Sequence, residues 1–128
     1  MITAVHTLIY SDDAEATRAF LRDVLGFPFV DDGGSGWLIF GTGPSEAGVH
    51  PTYSEWQGKV YESPRKHVIS FMCDDIVTTR AELEAKGATF AGPVRDEGYG
   101  LVTDMEVPGA DPIQIYEPRH EIAYELKN

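Results

Sequence analysis

Two stretches decide the fold of this chain. Residues 6–30 read HTLIYSDDAEATRAFLRDVLGFPFV, and residues 67–91 read HVISFMCDDIVTTRAELEAKGATFA. With a single-residue insertion they can be laid on one another. Each begins with His and an apolar run, continues into an Asp-Asp pair, and then has helical periodicity up to a glycine. The sequence therefore contains an internal repeat, the most specific signal it carries.

Both copies continue with the same pattern of strands. The first helix is predicted over 12–26 and the second over 74–88, each after a strand, at 4–10 and 66–73. Short strand-like segments follow at 28–32, 36–42 and 46–52, and again at 88–94, 101–107 and 112–118. This order predicts an α+β fold of two tandem βαβββ modules.

The modules set the predicted domain organisation. Module 1 covers about 1–52, a polar and unpatterned linker covers 53–65, module 2 covers about 66–118, and a tail covers 119–128. At 128 residues the whole chain is expected to form one domain with a core of its own.

Composition narrows the function classes. The formal net charge is −11, from ten Lys plus Arg against 21 Asp plus Glu, which disfavours nucleic acid and anionic membranes as partners. A neutral or cationic small molecule suits this charge better, although acidic surfaces often serve only solubility.

No leader-like or membrane-spanning run is visible, so a cytoplasmic location is expected. Cys73 is the single cysteine, which rules out an intrachain disulfide and a thiolate-rich zinc site.

Polar side chains recur at equivalent places in the two modules. His6 and His67 begin the first strands, while His50 and Glu117 end the last strands and are each followed by proline. Strand alternation places His67 on a face with Ile69 and Phe71, and Glu117 on a face with Ile113 and Ile115. A polar group that ends an apolar face is costly unless something pairs with it, and a divalent cation can pair with all four.

Two βαβββ units of about 60 residues, with a candidate ligand on the first and last strand of each, resemble the vicinal oxygen chelate superfamily. This superfamily includes glyoxalase I, bleomycin resistance proteins and extradiol dioxygenases. The resemblance runs from His6 to Glu117. It implies a curled mixed sheet around a metal cleft, often completed between the two subunits of a homodimer.

The resemblance also implies the site. A divalent metal ion would be held by His6, His50, His67 and Glu117, with Glu117 as the catalytic residue that moves a proton. Nitrogen and oxygen ligands of this kind suit Zn, Ni, Fe, Mn or Co. Open coordination positions would accept a small substrate with vicinal oxygens, and the metal would act as a Lewis acid. Glyoxalase I usually carries Glu or Gln where His50 stands, so this chain departs from that pattern.

Four functions follow from the resemblance, the last of them with less support. The first is a glyoxalase-type lyase or isomerase, for which Arg22, Arg65 and Arg95 are the candidate anion-binding residues. The second is an extradiol ring-cleaving dioxygenase, in which His6, His67 and Glu117 would form a facial triad on iron, although many such enzymes have four units. The third is a bleomycin-type antibiotic-binding protein without catalysis, favoured by the acidic charge and the tryptophans. A thiol transferase of the fosfomycin-resistance type is less well supported, because an acidic chain is a poor host for a phosphonate.

Other features have less weight. Six residues are candidates for a pocket lining or for ordinary core: Trp37, Phe40, Trp56, Phe71, Met72 and Tyr99. Residues 95–100, RDEGYG, are either a lid or a surface loop. Cys73 is expected to be inert and His120 to be solvated.

Overall fold

In the computed structural model, residues 6–31, 34, 36–49 and 51–126 are described. The described part of the chain combines two helices with eight short strands, so the predicted α+β class is confirmed. The helices are α1, Ala14–Ala19, which continues as a π-helix over Phe20–Val24, and α2, Ile76–Ala85. A 3₁₀ turn, Ala123–Glu125, lies in the tail. No helix among the described residues is long and apolar enough to cross a membrane.

The strands form three separate sheets. Strands β1, Phe29–Asp31, and β2, Leu38–Phe40, form an antiparallel pair, and so do β3, Tyr53–Trp56, and β4, Lys59–Glu62. The third sheet contains β5, Ser70–Met72, β6, Phe90–Asp96, β7, Gly100–Val107, and β8, Ala110–Pro118. Its order is β5-β8-β7-β6, with β5 parallel to β8 and the other pairs antiparallel. The second half of the chain is thus a complete βαβββ unit.

Local capping explains where both helices begin. Asp13 accepts a hydrogen bond from the Ala16 N–H at 3.1 Å, and Asp75 accepts one from the Thr78 N–H at 3.0 Å. A carboxylate at the N-cap pairs one of the free N–H groups of the first turn and interacts favourably with the helix dipole. The second Asp of each predicted Asp-Asp pair is therefore the capping residue.

The first half departs from the predicted pattern in two places. Residues 6–10 and 41–49 form no strand, although strands were expected at 4–10 and 46–52. A strand exists only when a neighbour completes its hydrogen bonds, and nothing in the described chain pairs with these segments. Residues 53–62, expected to belong to a linker, form the β3–β4 hairpin instead.

A single core joins α1, α2 and one face of the four-stranded sheet. Its buried members are Phe20, Leu21, Ile76, Ala88, Met105, Val107, Ile113 and Ile115. The start of α1 is tied to the β7–β8 turn, since the Asp12 N–H donates to the Gly109 carbonyl at 2.7 Å and the Thr17 hydroxyl donates to the Pro108 carbonyl at 2.5 Å. The two halves of the sequence therefore meet at this turn.

Candidate functional site

The two predicted histidine ligands at the module starts are accessible. His6 and His67 are both exposed and lie in segments without regular secondary structure. Neither imidazole makes a hydrogen bond or ion pair within the described residues. An exposed imidazole without a partner keeps its nitrogen lone pair available for a metal.

Glu117 has a definite partner of its own. It lies near the end of β8, and its Oε1 accepts a hydrogen bond from the backbone N–H of Ile76 at 2.9 Å. Ile76 is the first residue of α2 and is completely buried. The carboxylate thus pairs an N–H group that the helix leaves free and that water does not reach. From the sequence, a cation was expected to pair with Glu117. The Ile76 N–H supplies part of that pairing from within the protein.

Three of the four predicted metal ligands, His6, His67 and Glu117, lie among the described residues. His50 lies outside the described residues, so the predicted four-ligand set is only partly visible. Within the residues that are described, no group of three or more His, Cys, Asp or Glu side chains could hold a metal ion. His6, His67 and Glu117 therefore do not form a group of this kind in a single subunit.

A cavity opens beside Glu117. Its volume is about 540 Å³, and the tail contributes much of its wall. The lining combines carboxylates with apolar and aromatic groups: Met72, Cys73, Asp74, Glu117, Pro118, His120, Ile122, Tyr124 and Glu125.

The first half of the chain holds the tail in place. Glu46 accepts a hydrogen bond from the Ala123 N–H at 2.9 Å, and its other oxygen lies 3.4 Å from Nε2 of His120. His120 is therefore not simply a solvated residue, as the sequence had suggested, because it takes part in this contact.

Cys73 faces an environment that disfavours its thiolate. Burial raises the pKa of the thiol, a hydrogen bond with Thr79 acts in the opposite direction, and the nearby carboxylates of Glu117, Asp74 and Asp75 raise it further. A thiol with a raised pKa is a poor nucleophile at neutral pH. This agrees with the expectation that Cys73 is inert.

The sequence reasoning missed a row of polar groups on the other face of the four-stranded sheet. Ser70 donates to Oε1 of Gln114 at 3.0 Å, and Arg95 donates to Asp104 at 2.9 Å. Asp104 and Gln114 are directly paired across β7 and β8, so the two contacts are neighbours. Asp104, with Glu97, raises the pKa of Arg95, which keeps the guanidinium charged.

The alternation of apolar and polar side chains in the sequence of β8 could have identified this row. Ile113 and Ile115 belong to the core, so Glu117 shares the face that packs on the helices. Gln114 and Tyr116 then point to the opposite face. Among the polar residues of β8, it is therefore Gln114 that lies on the helix-free face.

The 95–100 segment contains the end of β6, a short turn at 97–99 and the first residue of β7. The Glu97 N–H donates to the Gly100 carbonyl at 3.0 Å, and Asp96 accepts two hydrogen bonds from Arg119, at 2.6 and 2.9 Å. This contact lowers the pKa of Asp96. The segment is thus held by the tail, which favours the surface-loop interpretation over a lid.

Comparison with known proteins decides the family. The sequence profile of the Glyoxalase/Bleomycin resistance protein/Dioxygenase superfamily matches residues 3–121. The chain belongs to this superfamily. No curated protein sequence matches the chain.

Solved structures of the superfamily share its fold. A lactoylglutathione lyase from Agrobacterium tumefaciens has a TM-score of 0.61 and 19% identity, covering 91% of this chain and 94% of that one. An antibiotic binding protein from Streptomyces sp. CB03234 has a TM-score of 0.56 and 17% identity, covering 92% and 97%. A glyoxalase/bleomycin resistance protein/dioxygenase from Nocardioides has a TM-score of 0.54 and 14% identity, covering 96% and 91%. At such identities the likeness establishes the fold, while the activity of this superfamily member is a separate question.

Proposed function

We propose that the protein is a homodimeric, divalent-metal-dependent enzyme of the glyoxalase type that acts on a small substrate with vicinal oxygens. The observation that carries this proposal is the accessibility of the His6 and His67 imidazoles. Both imidazoles are exposed and unpartnered within the described chain, at equivalent positions of the two halves. With His50 and Glu117 they provide nitrogen and oxygen donors that suit Zn, Ni, Fe, Mn or Co.

The donor chemistry fits a metal, but the described donors do not meet within one subunit. The proposal therefore requires that the site be shared between two copies of the chain. Glu117 is compatible with such a role, because ligand carboxylates are commonly oriented by a further hydrogen bond such as the one from Ile76. When bound, the metal would act as a Lewis acid on the substrate oxygens. Glu117 would move the proton.

A second candidate is sequestration of a cationic antibiotic without catalysis. The cavity beside Glu117 favours it, since Asp74, Glu117 and Glu125 line it together with Tyr124. Carboxylates next to an aromatic face can bind an organic cation through charge and through cation–π contact.

The single cysteine fits a reducing compartment, and we place the protein in the cytoplasm.

Metal content tests the proposal. We would measure it by elemental mass spectrometry on protein purified without a His tag, before and after reconstitution, for wild type, His67→Ala and His120→Ala. His120 is the one histidine outside the proposed set, so it is the matched control. We expect about one equivalent per chain in wild type and in the control, and less than about a tenth of that in His67→Ala.

The outcomes separate the candidate functions. Nickel, zinc or cobalt would support the glyoxalase type, and iron would favour ring cleavage by the same ligands. Metal retained by a folded His67→Ala variant would refute the ligand assignment. No metal after reconstitution would refute the enzyme proposal and leave antibiotic binding, to be examined by calorimetric titration with bleomycin.

A further inference from the structure

Residues 119–126, which we call the strap, form part of the wall of the cavity beside Glu117. Four of them line it: His120, Ile122, Tyr124 and Glu125. The rest of the lining comes from the ends of β5 and β8 and from the connection between β5 and α2. The cavity of about 540 Å³ therefore exists only while the strap stays beside the ends of these strands.

The strap has almost no packed core of its own. Among its residues only Ile122 is half-buried, and the others are exposed. Its 3₁₀ turn, Ala123–Glu125, contains no buried residue. A segment with few buried apolar contacts opens locally at a much lower free-energy cost than the core. The strap is therefore held mainly by polar contacts.

The base of the strap is fixed to the turn between β6 and β7. The Arg119 guanidinium donates to both carboxylate oxygens of Asp96, at 2.6 and 2.9 Å. The Arg119 N–H also donates to the Tyr99 carbonyl at 3.0 Å. The Gly98 N–H donates to Asp96 at 2.9 Å and so helps to orient its carboxylate. Because Arg119 is tied at three points, a motion of the strap would begin after this residue.

The far part of the strap is anchored by Glu46. One Glu46 oxygen accepts the Ala123 N–H at 2.9 Å, and the other lies 3.4 Å from Nε2 of His120. Among the residues that the structure describes, no other hydrogen bond or ion pair joins residues 121–126 to the chain before the strap. The Glu46 side chain is only 14% exposed, so water competes weakly for its oxygens.

Glu46 belongs to the first half of the chain, whereas every residue that lines the cavity belongs to the second half. The carboxylates on the two sides of the cavity also carry like charges: Asp74 and Glu117 lie at the strand ends, and Glu125 lies on the strap. In an empty cavity they repel one another, which favours an open strap, and a cation between them reverses this preference.

We propose that Glu46 is a latch for the strap, which swings outward after Arg119 to admit a small organic cation to the cavity and closes again over it. The proposal rests on the second candidate function, which places a cation in this cavity. The carboxylate of Glu125 reaches the cation only when the strap is closed. Binding and closure must therefore favour each other to the same extent.

Proteolysis of the ligand-free protein tests the latch. Chymotrypsin cleaves after aromatic residues in extended segments, so the initial rate of cleavage after Tyr124, measured by mass spectrometry, reports the open strap. Glu46→Ala should raise this rate at least about tenfold, because it removes the charged acceptor of the Ala123 N–H. Glu46→Gln should raise it less, since an amide oxygen can still accept.

Two controls separate the latch from general stability. Glu106→Ala removes a carboxylate from an exposed residue of β7 that has no hydrogen bond or ion pair to the strap in the described structure, and should leave the rate unchanged. Cleavage after the buried Phe20 reports unfolding of the whole domain and should not rise with cleavage after Tyr124. A wild-type rate in Glu46→Ala, or an equal rise at both sites, would overturn the latch.

Ligand binding tests the second step separately. Benzyltrimethylammonium is the probe, and phenylacetate, an anion of similar size, is its control. At ten times the dissociation constant measured by calorimetry, the cation should slow wild-type cleavage after Tyr124 about tenfold, and the anion should not. Binding without this protection would overturn the closure of the strap while leaving cation binding in place. No binding of the cation would refute the second candidate function, whatever the proteolysis of the ligand-free variants shows about the latch.

Discussion

At the scale of single residues, Glu117 shows how a polar group at the end of an apolar face can be satisfied without a ligand. Its strand position places it on the core side of β8, where the first N–H group of α2 lies within hydrogen-bond distance. Position on the strand could be read from the sequence. The approach of the helix could not, because residues 76 and 117 are 41 positions apart.

We expect Glu117→Ala to lower the free energy of unfolding by about 1–3 kcal/mol, since it leaves the buried Ile76 N–H without an acceptor. Glu117→Gln should cost less, because its amide oxygen can still accept. Urea unfolding of both, beside Glu106→Ala at an exposed residue of β7 as a control, measures the difference. A Glu117→Ala variant as stable as the control would mean that the helix does not depend on this contact.

At the scale of elements, sequence signals between near neighbours predicted helices and strands, whereas pairing between distant segments was not predictable from the sequence. Both helices and the three strands β6, β7 and β8 form where the sequence predicted them, because caps, turns and alternation act between close neighbours. The sequence analysis missed the β3–β4 hairpin. Its two turn residues, Gln57 and Gly58, both have positive φ in the structure, as in a type I′ turn. Its mixed polarity concealed it, since both faces of the hairpin carry exposed side chains.

The β7–β8 turn offers a test at this scale. Gly109 has φ of +78°, and a Cβ placed there would lie 2.5 Å from the Ser11 Oγ atom and 2.9 Å from the Asp13 nitrogen. Gly109→Ala should therefore cost about 1–3 kcal/mol of unfolding free energy, through backbone strain and through disruption of the contact between the two halves. Gly48→Ala is the control, because a Cβ there meets nothing within 4 Å. Thermal unfolding of the two variants measures the difference. An equal loss of stability in both would refute the prediction for Gly109→Ala.

At the scale of the whole molecule, charge and exposed apolar surface act against each other. A net charge of −11 on each copy repels a second copy, while exposed apolar side chains such as Val30, Trp56 and Val60 favour association. The balance must depend on ionic strength, because salt screens the repulsion and leaves apolar burial intact.

We therefore expect dimer formation to tighten as salt increases. Raising sodium chloride from about 10 to about 150 mM shortens the Debye length from about 30 to about 8 Å, and the dissociation constant should fall several-fold. Sedimentation at the two ionic strengths measures this directly. Weaker association at the higher salt would show that attraction between opposite charges, rather than apolar burial, holds the copies together.

The sequence alone determined the features that depend on near neighbours and on repetition: the α+β class, the Asp-Asp pair at the start of both helices, and the βαβββ unit of the second half. Tertiary structure alone decided that the Ile76 N–H of α2 pairs with Glu117, and that Ser70 pairs with Gln114 on the other face of β8. It also decided that residues 53–62 form a β-hairpin. The physical reason is that alternation assigns residues to two faces, whereas only packing between distant segments determines what each face contacts.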